Sequence, residues 1–95
     1  MLHFGNKATR EIYQFGATKG VPDEVARKAV RQLDIMAAAT NLREVRFAGH
    51  GRLLKQLRSS PTRFHIHVLG KWWISFFWHM TDASEVRLEK RKGEK

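Results

Sequence analysis

The sequence predicts an α+β domain: two N-terminal helices packed on one face of a small antiparallel sheet of three to four strands. Two changes of rhythm carry that prediction. Up to Ala39, apolar residues recur at spacings of three and four, the period of a helix. From Leu53 onward they alternate singly, the period of a strand. Length sets the scale, since 95 residues with 42% hydrophobic content suffice for one domain, residues 1–95, around one core.

The first helix is expected over Phe4 to Phe15. Ala8, Ile12 and Phe15 fall on one face, and Gly16 follows as a stop. Gly20 lies in the connection. Pro22 suits the first turn of a second helix, where its missing N–H costs nothing. Asp23 and Glu24 then sit where the helix dipole favours negative charge. This helix should run to about Ala39, with Val25, Ala29, Leu33, Met36 and Ala37 as its apolar stripe and Arg27, Lys28 and Arg31 on the other side.

Leu42 to Gly51 reads as an irregular connection ending in Gly49-His50-Gly51. Leu53 to Leu57 is a short strand candidate, and Ser59-Ser60-Pro61 a turn. Phe64, Ile66 and Val68 alternate with His65, His67 and Leu69. Trp72, Ile74, Phe76 and Trp78 alternate with Trp73, Ser75, Phe77 and His79. A three-residue loop, Leu69-Gly70-Lys71, would close this hairpin, with Gly70 supplying an unusual φ. Val68 would then face Trp72, Ile66 face Ile74, and Phe64 face Phe76. That register gathers the apolar residues on one side, and a one-residue slip would scatter them. Thr81-Asp82 breaks the run, and Val86 with Leu88 forms a last short strand. Gly93-Glu94-Lys95 is read as a frayed end.

Charge narrows the function. Eighteen Lys and Arg against nine Asp and Glu give +9, a balance that points to a polyanion or an acidic protein partner. The excess lies in the second half. From Arg43 to Lys71 seven basic residues meet the single acid Glu44, and Arg87, Lys90, Arg91 and Lys92 follow. There is no Cys, which excludes disulfides and thiolate metal sites. No apolar run approaches the roughly 20 residues of a membrane span. Met1-Leu2-His3-Phe4 lacks the features of a signal peptide, so a cytoplasmic protein is expected.

The sheet face opposite the helices would carry Arg63, His65, His67, Trp73, Ser75 and Phe77. Aromatic rings there can stack on unpaired bases while Arg63 and His67 contact phosphates. The bland alternative is a second small core or a dimer interface. His65 and His67 also form a conceivable metal pair, but a site needs a third ligand, for which only His79 or Asp82 offers itself. Neither a metal nor another cofactor is expected. RNA cleavage needs no metal, because the 2′-OH can attack the adjacent phosphate. The protein must then supply a base, cations for the crowded phosphate and an acid for the leaving 5′-oxygen.

Four stretches carry a family resemblance. They are Gly20-Val21-Pro22; Ala26-Arg27-Lys28-Ala29 with Leu33-Asp34, Ala38-Ala39-Thr40 and Leu42-Arg43; Gly51-Arg52-Leu53 with Leu57-Arg58; and His65-Ile66-His67-Val68 with Trp72 and Ile74-Ser75-Phe76-Phe77-Trp78. In order and spacing, Phe4 to Leu88 resembles the HigB-type toxins of the RelE/ParE superfamily. The resemblance implies a RelE-like fold and an endoribonuclease that cleaves mRNA on the ribosome. It also implies a cognate antitoxin, of helix-turn-helix type, that holds the toxin in a complex such as a heterotetramer. An acidic or amphipathic antitoxin segment is expected over part of the basic face or the long helix.

The same resemblance places the functional residues. The family's C-terminal His is matched by Lys92, its turn Lys by Arg58, and the Arg after its Trp by Trp73. His67, Lys92 and Arg58 are therefore the catalytic candidates, with His67 moving protons and Arg58 and Lys92 holding phosphate. Arg63, Lys71, Trp73, Arg91 and Arg52 are the RNA-binding candidates. Imidazole suits proton transfer because it titrates near neutral pH. The run Lys90-Arg91-Lys92 also reads as a solvated tail. Two other functions remain open on the same scaffold: a non-catalytic RNA binder, and a poison of a protein target such as gyrase, in the manner of the ParE branch.

Overall fold

The structure, a computed structural model, describes residues 2–48, 53–56 and 62–91. It is α+β, with three helices and a five-stranded mixed sheet among those residues. The elements run β1 (Leu2–Phe4), α1 (Lys7–Phe15), α2 (Asp23–Ala38), α3 (Leu42–Ala48), β2 (Leu54–Gln56), β3 (Arg63–Leu69), β4 (Trp72–His79) and β5 (Asp82–Lys90). The strand order is β1-β5-β4-β3-β2; β1 lies parallel to β5 and the other pairs are antiparallel.

Helix α1 starts later than its apolar pattern suggests because Asn6 caps it. The Asn6 side-chain oxygen accepts from the Thr9 backbone N–H at 3.0 Å, which satisfies one otherwise orphaned donor. Thr9 itself is fully buried and ties the helix to the sheet. The Leu88 backbone N–H donates to Thr9 Oγ1 at 2.8 Å, and that hydroxyl donates to Asn6 Oδ1 at 2.7 Å. Gly16 ends the helix at φ 83°, its N–H bonded to the Ile12 carbonyl. In α2, Pro22 occupies the N-cap rather than the first helical position, and Asp23 and Glu24 fill the first turn. Val25, Ala29, Leu33 and Met36 are buried as expected; Ala37 is half-buried, and Ala26 and Gln32 join the buried side.

Three readings of the sequence need correction. Residues 42–48 form α3, not an irregular connection. Its start is held by Asn41, whose side chain accepts from the Glu44 N–H at 3.0 Å, and by Glu44, whose carboxylate accepts from the Thr40 N–H at 2.6 Å. That exchange is close to a capping box. Residues 2–4 form a strand, not the approach to a helix. The sheet is therefore mixed and five-stranded, and its last strand begins at Asp82, directly after the Met80-Thr81 turn.

The β3–β4 hairpin keeps two of its three expected pairs, Phe64↔Phe76 and Ile66↔Ile74. Val68 does not face Trp72; Leu69 does. An extra residue between His67 and Leu69 bulges β3, which shortens the loop to Gly70-Lys71 with Gly70 at φ 57°. Val68 still points inward and is fully buried. Phe64, Ile66, Ile74 and Phe76 complete the central core against Ile12, Leu33 and Met36. Trp72 and Trp78, expected in that core, are only half-buried at the two ends of β4. Residues 93–95 lie outside the described residues. No helix among those described is long and apolar enough to cross a membrane.

Candidate nucleic-acid interface

Strand alternation decides what the uncovered sheet face displays. With Phe64, Ile66, Ile74 and Phe76 turned toward the helices, Arg63, His65 and His67 of β3 and Trp73, Ser75 and Phe77 of β4 turn away. The pairings Ser75↔Arg87 and Trp73↔Glu89 add Arg87 and Glu89 from β5, while Leu54↔His65 and Gln56↔Arg63 add two residues of β2. The face is thus a strip with cations and aromatics interleaved across four strands.

Two arginines lie on rings. The Arg91 guanidinium carbon is 4.1 Å from the centroid of Trp73, and that of Arg63 is 4.9 Å from the centroid of Phe77. Such stacking orients a cation without neutralising it. The two stacks differ in what else they engage. Arg63 also donates to Ser75 Oγ at 2.8 Å and pairs with Glu89 at 3.9 Å, leaving its side chain 17% exposed. It is held mainly by the protein. Arg91 is exposed, and its backbone N–H donates to the Lys71 carbonyl at 2.8 Å, which brings the Lys71 position beside it.

His67 meets the other side of this cluster. Its ring lies 4.9 Å from that of Trp73, edge to face. Its Nε2 is 2.8 Å from the Gly70 carbonyl oxygen. A carbonyl only accepts, so Nε2 carries the proton in this contact and Nδ1 is left as the nitrogen able to take one up. The bulge and the short loop create this contact by bringing Gly70 back over β3.

His65 sits between the two stacks. Burial first, and then Arg91, hold its imidazole below its ordinary titration range; Glu89 opposes them and Arg63 adds to them. The neutral ring is thereby favoured in the middle of a cationic strip. Its Nε2 lies 3.3 Å from Gln56 Oε1. Arg87 pairs with Glu85 at 2.9 Å and runs under Gly5. A Cβ on Gly5 would come within 2.6 Å of the Arg87 side chain, so glycine is required for that close approach.

The structure therefore brings His67, Lys71, Trp73 and Arg91 together at one end of the sheet. It sets Arg63 four residues further along β3, about 13 Å away. Arg52, Arg58 and Lys92 lie outside the described residues. The sequence reading placed Ser75 on this face and passed over Arg87 and Glu89. The alternation of Arg87, Glu89 and Arg91 against Val86 and Leu88 was the available signal. Among the described residues no three His, Asp or Glu side chains converge to hold a metal. His79 and Asp82, the conceivable third ligands to His65 and His67, pair with each other at the far hairpin. Neither a protein-family model nor a curated protein matches the chain.

Proposed function

We propose that this chain is an RNA-directed toxin of the HigB/RelE type, with a RelE-like fold, whose uncovered sheet face takes unpaired RNA. The observation that carries the reading is the Arg91–Trp73 stack at the hairpin end of the sheet. An exposed guanidinium plane backed by an indole offers both a surface for a base to stack on and a charge for the adjacent phosphate. Lys71 and His67 flank it. Trp73 thus contributes by presenting Arg91, since one of its faces is already covered.

In the cleavage reading, the RNA 2′-oxygen attacks the adjacent phosphorus, the bond to the 5′-oxygen breaks and a 2′,3′-cyclic phosphate remains. His67 Nδ1 takes the 2′-OH proton, Arg91, Arg58 and Lys92 meet the phosphate charge, and the leaving 5′-oxygen takes its proton from water. The substrate is mRNA on the ribosome in the bacterial cytoplasm, and a helix-turn-helix antitoxin restrains the toxin. The test is induction in a bacterial host with mapping of RNA 5′ ends. Growth arrest with ribosome-dependent cuts inside reading frames supports the reading; growth without arrest or new ends overturns it.

One observation favours a non-catalytic RNA binder instead. The His67 Nε2 is committed to a backbone carbonyl, so proton transfer has only the nitrogen on the other side of the ring. Growth arrest without new 5′ ends, together with loss of single-strand binding in Trp73→Ala, selects that reading.

A further inference from the structure

A second group of cations stands around a hollow on the helix layer. Arg27 and Arg31, one turn apart, share a side of α2 with Lys28, and Glu24 is the acid beside them. They line a cavity of about 410 Å³ together with Gln32, Ile35, Phe47 of α3 and Leu69 of β3. That volume lies in the range of pockets for small organic ligands. The Phe47 ring is 69% exposed, so α3 presents an aromatic face to the cavity. Gln32 is buried, and its Nε2 donates to the His67 carbonyl at 2.8 Å. The lining therefore mixes a ring, a carboxamide and aliphatic groups. A nucleobase has the matching mixture of apolar faces and polar edges.

Leu69 ties this cavity to the sheet face. It forms one wall and is separated from Lys71 by Gly70 alone. The Lys71 carbonyl accepts from the backbone N–H of Arg91, whose guanidinium lies over Trp73. Gln32 reaches the same corner from within through His67. The cavity and the Arg91–Trp73 stack thus meet at one hairpin end. Past Phe47 a hollow of about 320 Å³ continues between Ile35, Ala38, Ala39 and Glu44. Among the described residues its charged group is a carboxylate, so a path for a polyanion ends at Phe47.

We propose that the cavity takes a further nucleotide of the single-stranded RNA that occupies the Arg91–Trp73 stack. The strand crosses the Gly70-Lys71 loop, its base rests on the Phe47 ring, and its phosphates meet Arg27, Lys28 and Arg31. Glu24 opposes the phosphates, but three cations outweigh it. The inference rests on the sheet face binding RNA and adds a second base site to it. An acidic protein segment is the competing occupant. Lying along α2, it would meet Glu44 with like sign beyond Phe47. It would also use Phe47 as apolar bulk, whereas a base uses the plane of the ring.

The test measures binding of fluorescently labelled tetrauridylate and decauridylate to the full chain. The shorter strand reports on the stack, and the longer one on the stack and the cavity together. Decauridylate should bind the parent more tightly than tetrauridylate. Phe47→Leu keeps apolar bulk and removes the ring; it should weaken decauridylate binding by about tenfold and leave tetrauridylate unchanged. Phe47→Tyr should bind both as the parent does. Arg27→Gln with Arg31→Gln should lower decauridylate affinity and flatten its salt dependence. Trp73→Ala should weaken both strands. If neither strand binds the parent, the sheet-face reading fails and the proposal fails with it. If Trp73→Ala weakens decauridylate binding and Phe47→Leu does not, the sheet-face reading stands and the proposal alone is overturned. It is also overturned if Phe47→Leu leaves RNA binding unchanged while Phe47→Asp abolishes binding of an acidic, leucine-rich helical peptide, which would assign the cavity to a protein.

Discussion

The protein presents positive charge in two places, and it is built differently in each. On the sheet face, arginines lie over aromatic rings and an imidazole fills the gap between them. On α2, the cations stand along a helix beside a hollow lined by Gln32, Ile35, Phe47 and Leu69. Net charge alone would equate the two. What separates them is the material beneath the charge: the guanidinium carbons of Arg63 and Arg91 lie over rings, whereas Arg27, Lys28 and Arg31 line a hollow with Gln32, Ile35, Phe47 and Leu69. A net charge of +9 is therefore spread over two surfaces of different make.

The sharpest way to break the comparison is to remove what both surfaces share. Phe76 is fully buried and packs on Phe64 at 5.7 Å between ring centroids. Phe76→Ala should cost about 3–5 kcal/mol by the cavity it leaves, measured by chemical denaturation. RNA binding should then fail as the hairpin loosens. If the variant is as stable as the parent, the hairpin register is wrong.

A smaller loss should come from Thr9→Val. This change keeps the shape but removes the acceptor for the Leu88 N–H, which is buried. The cost should be about 1–3 kcal/mol, the penalty for an unsatisfied buried donor. The amide of Leu88 should also lose protection in hydrogen exchange, while that of Ile74 changes less.

Trp73→Ala separates the two surfaces. It removes the ring beneath Arg91, so single-stranded RNA affinity should fall by about 1–3 kcal/mol. Resistance to denaturant should stay close to the parent's, because Trp73 lies outside the buried core. Equal RNA affinity in parent and variant would remove the stack from the interface.

The subtlest effect is on pH. His65 is held below its ordinary range in the fold, so the unfolded chain binds more protons as the medium is acidified. Stability should therefore be level above the ordinary imidazole value of 6.5 and fall as pH drops below it. His65→Gln should flatten that slope. The measurement is unfolding free energy between neutral and mildly acidic pH, and an unchanged slope in the variant would assign the dependence to other groups.

How much of this was legible follows from how local each signal is. Phe64, Ile66, Ile74 and Phe76 alternate within one hairpin, so their pairing could be read directly. Helix α3 was passed over because it has only seven residues and runs toward Gly49-His50-Gly51. Asn41 and Glu44, three apart, carried the capping signal that marks its start. Strand β1 is three residues long, and its evidence as a strand is a partner about eighty positions away. The contacts of Arg63 were hidden for a similar reason, since Glu89 reaches it from a strand whose register depends on the bulge at Glu85. The hold of Gly70 on His67 depends on an extra residue in β3 that no periodicity announces.

The place of β5 between β1 and β4 has a consequence for the order in which the molecule comes into being. A ribosome releases residues 2–4 early, yet the strand they join ends at Lys90. The β3–β4 hairpin can close during synthesis because its partners are neighbours in sequence. The edge strand β1 must wait, as must Thr9, whose hydroxyl receives the Leu88 amide. Arg91 also arrives with this last segment, and Trp73 has no guanidinium above it until then. Until β5 is made, the β3–β4 hairpin therefore keeps an open edge, β1 has no strand to join, and Trp73 waits for Arg91.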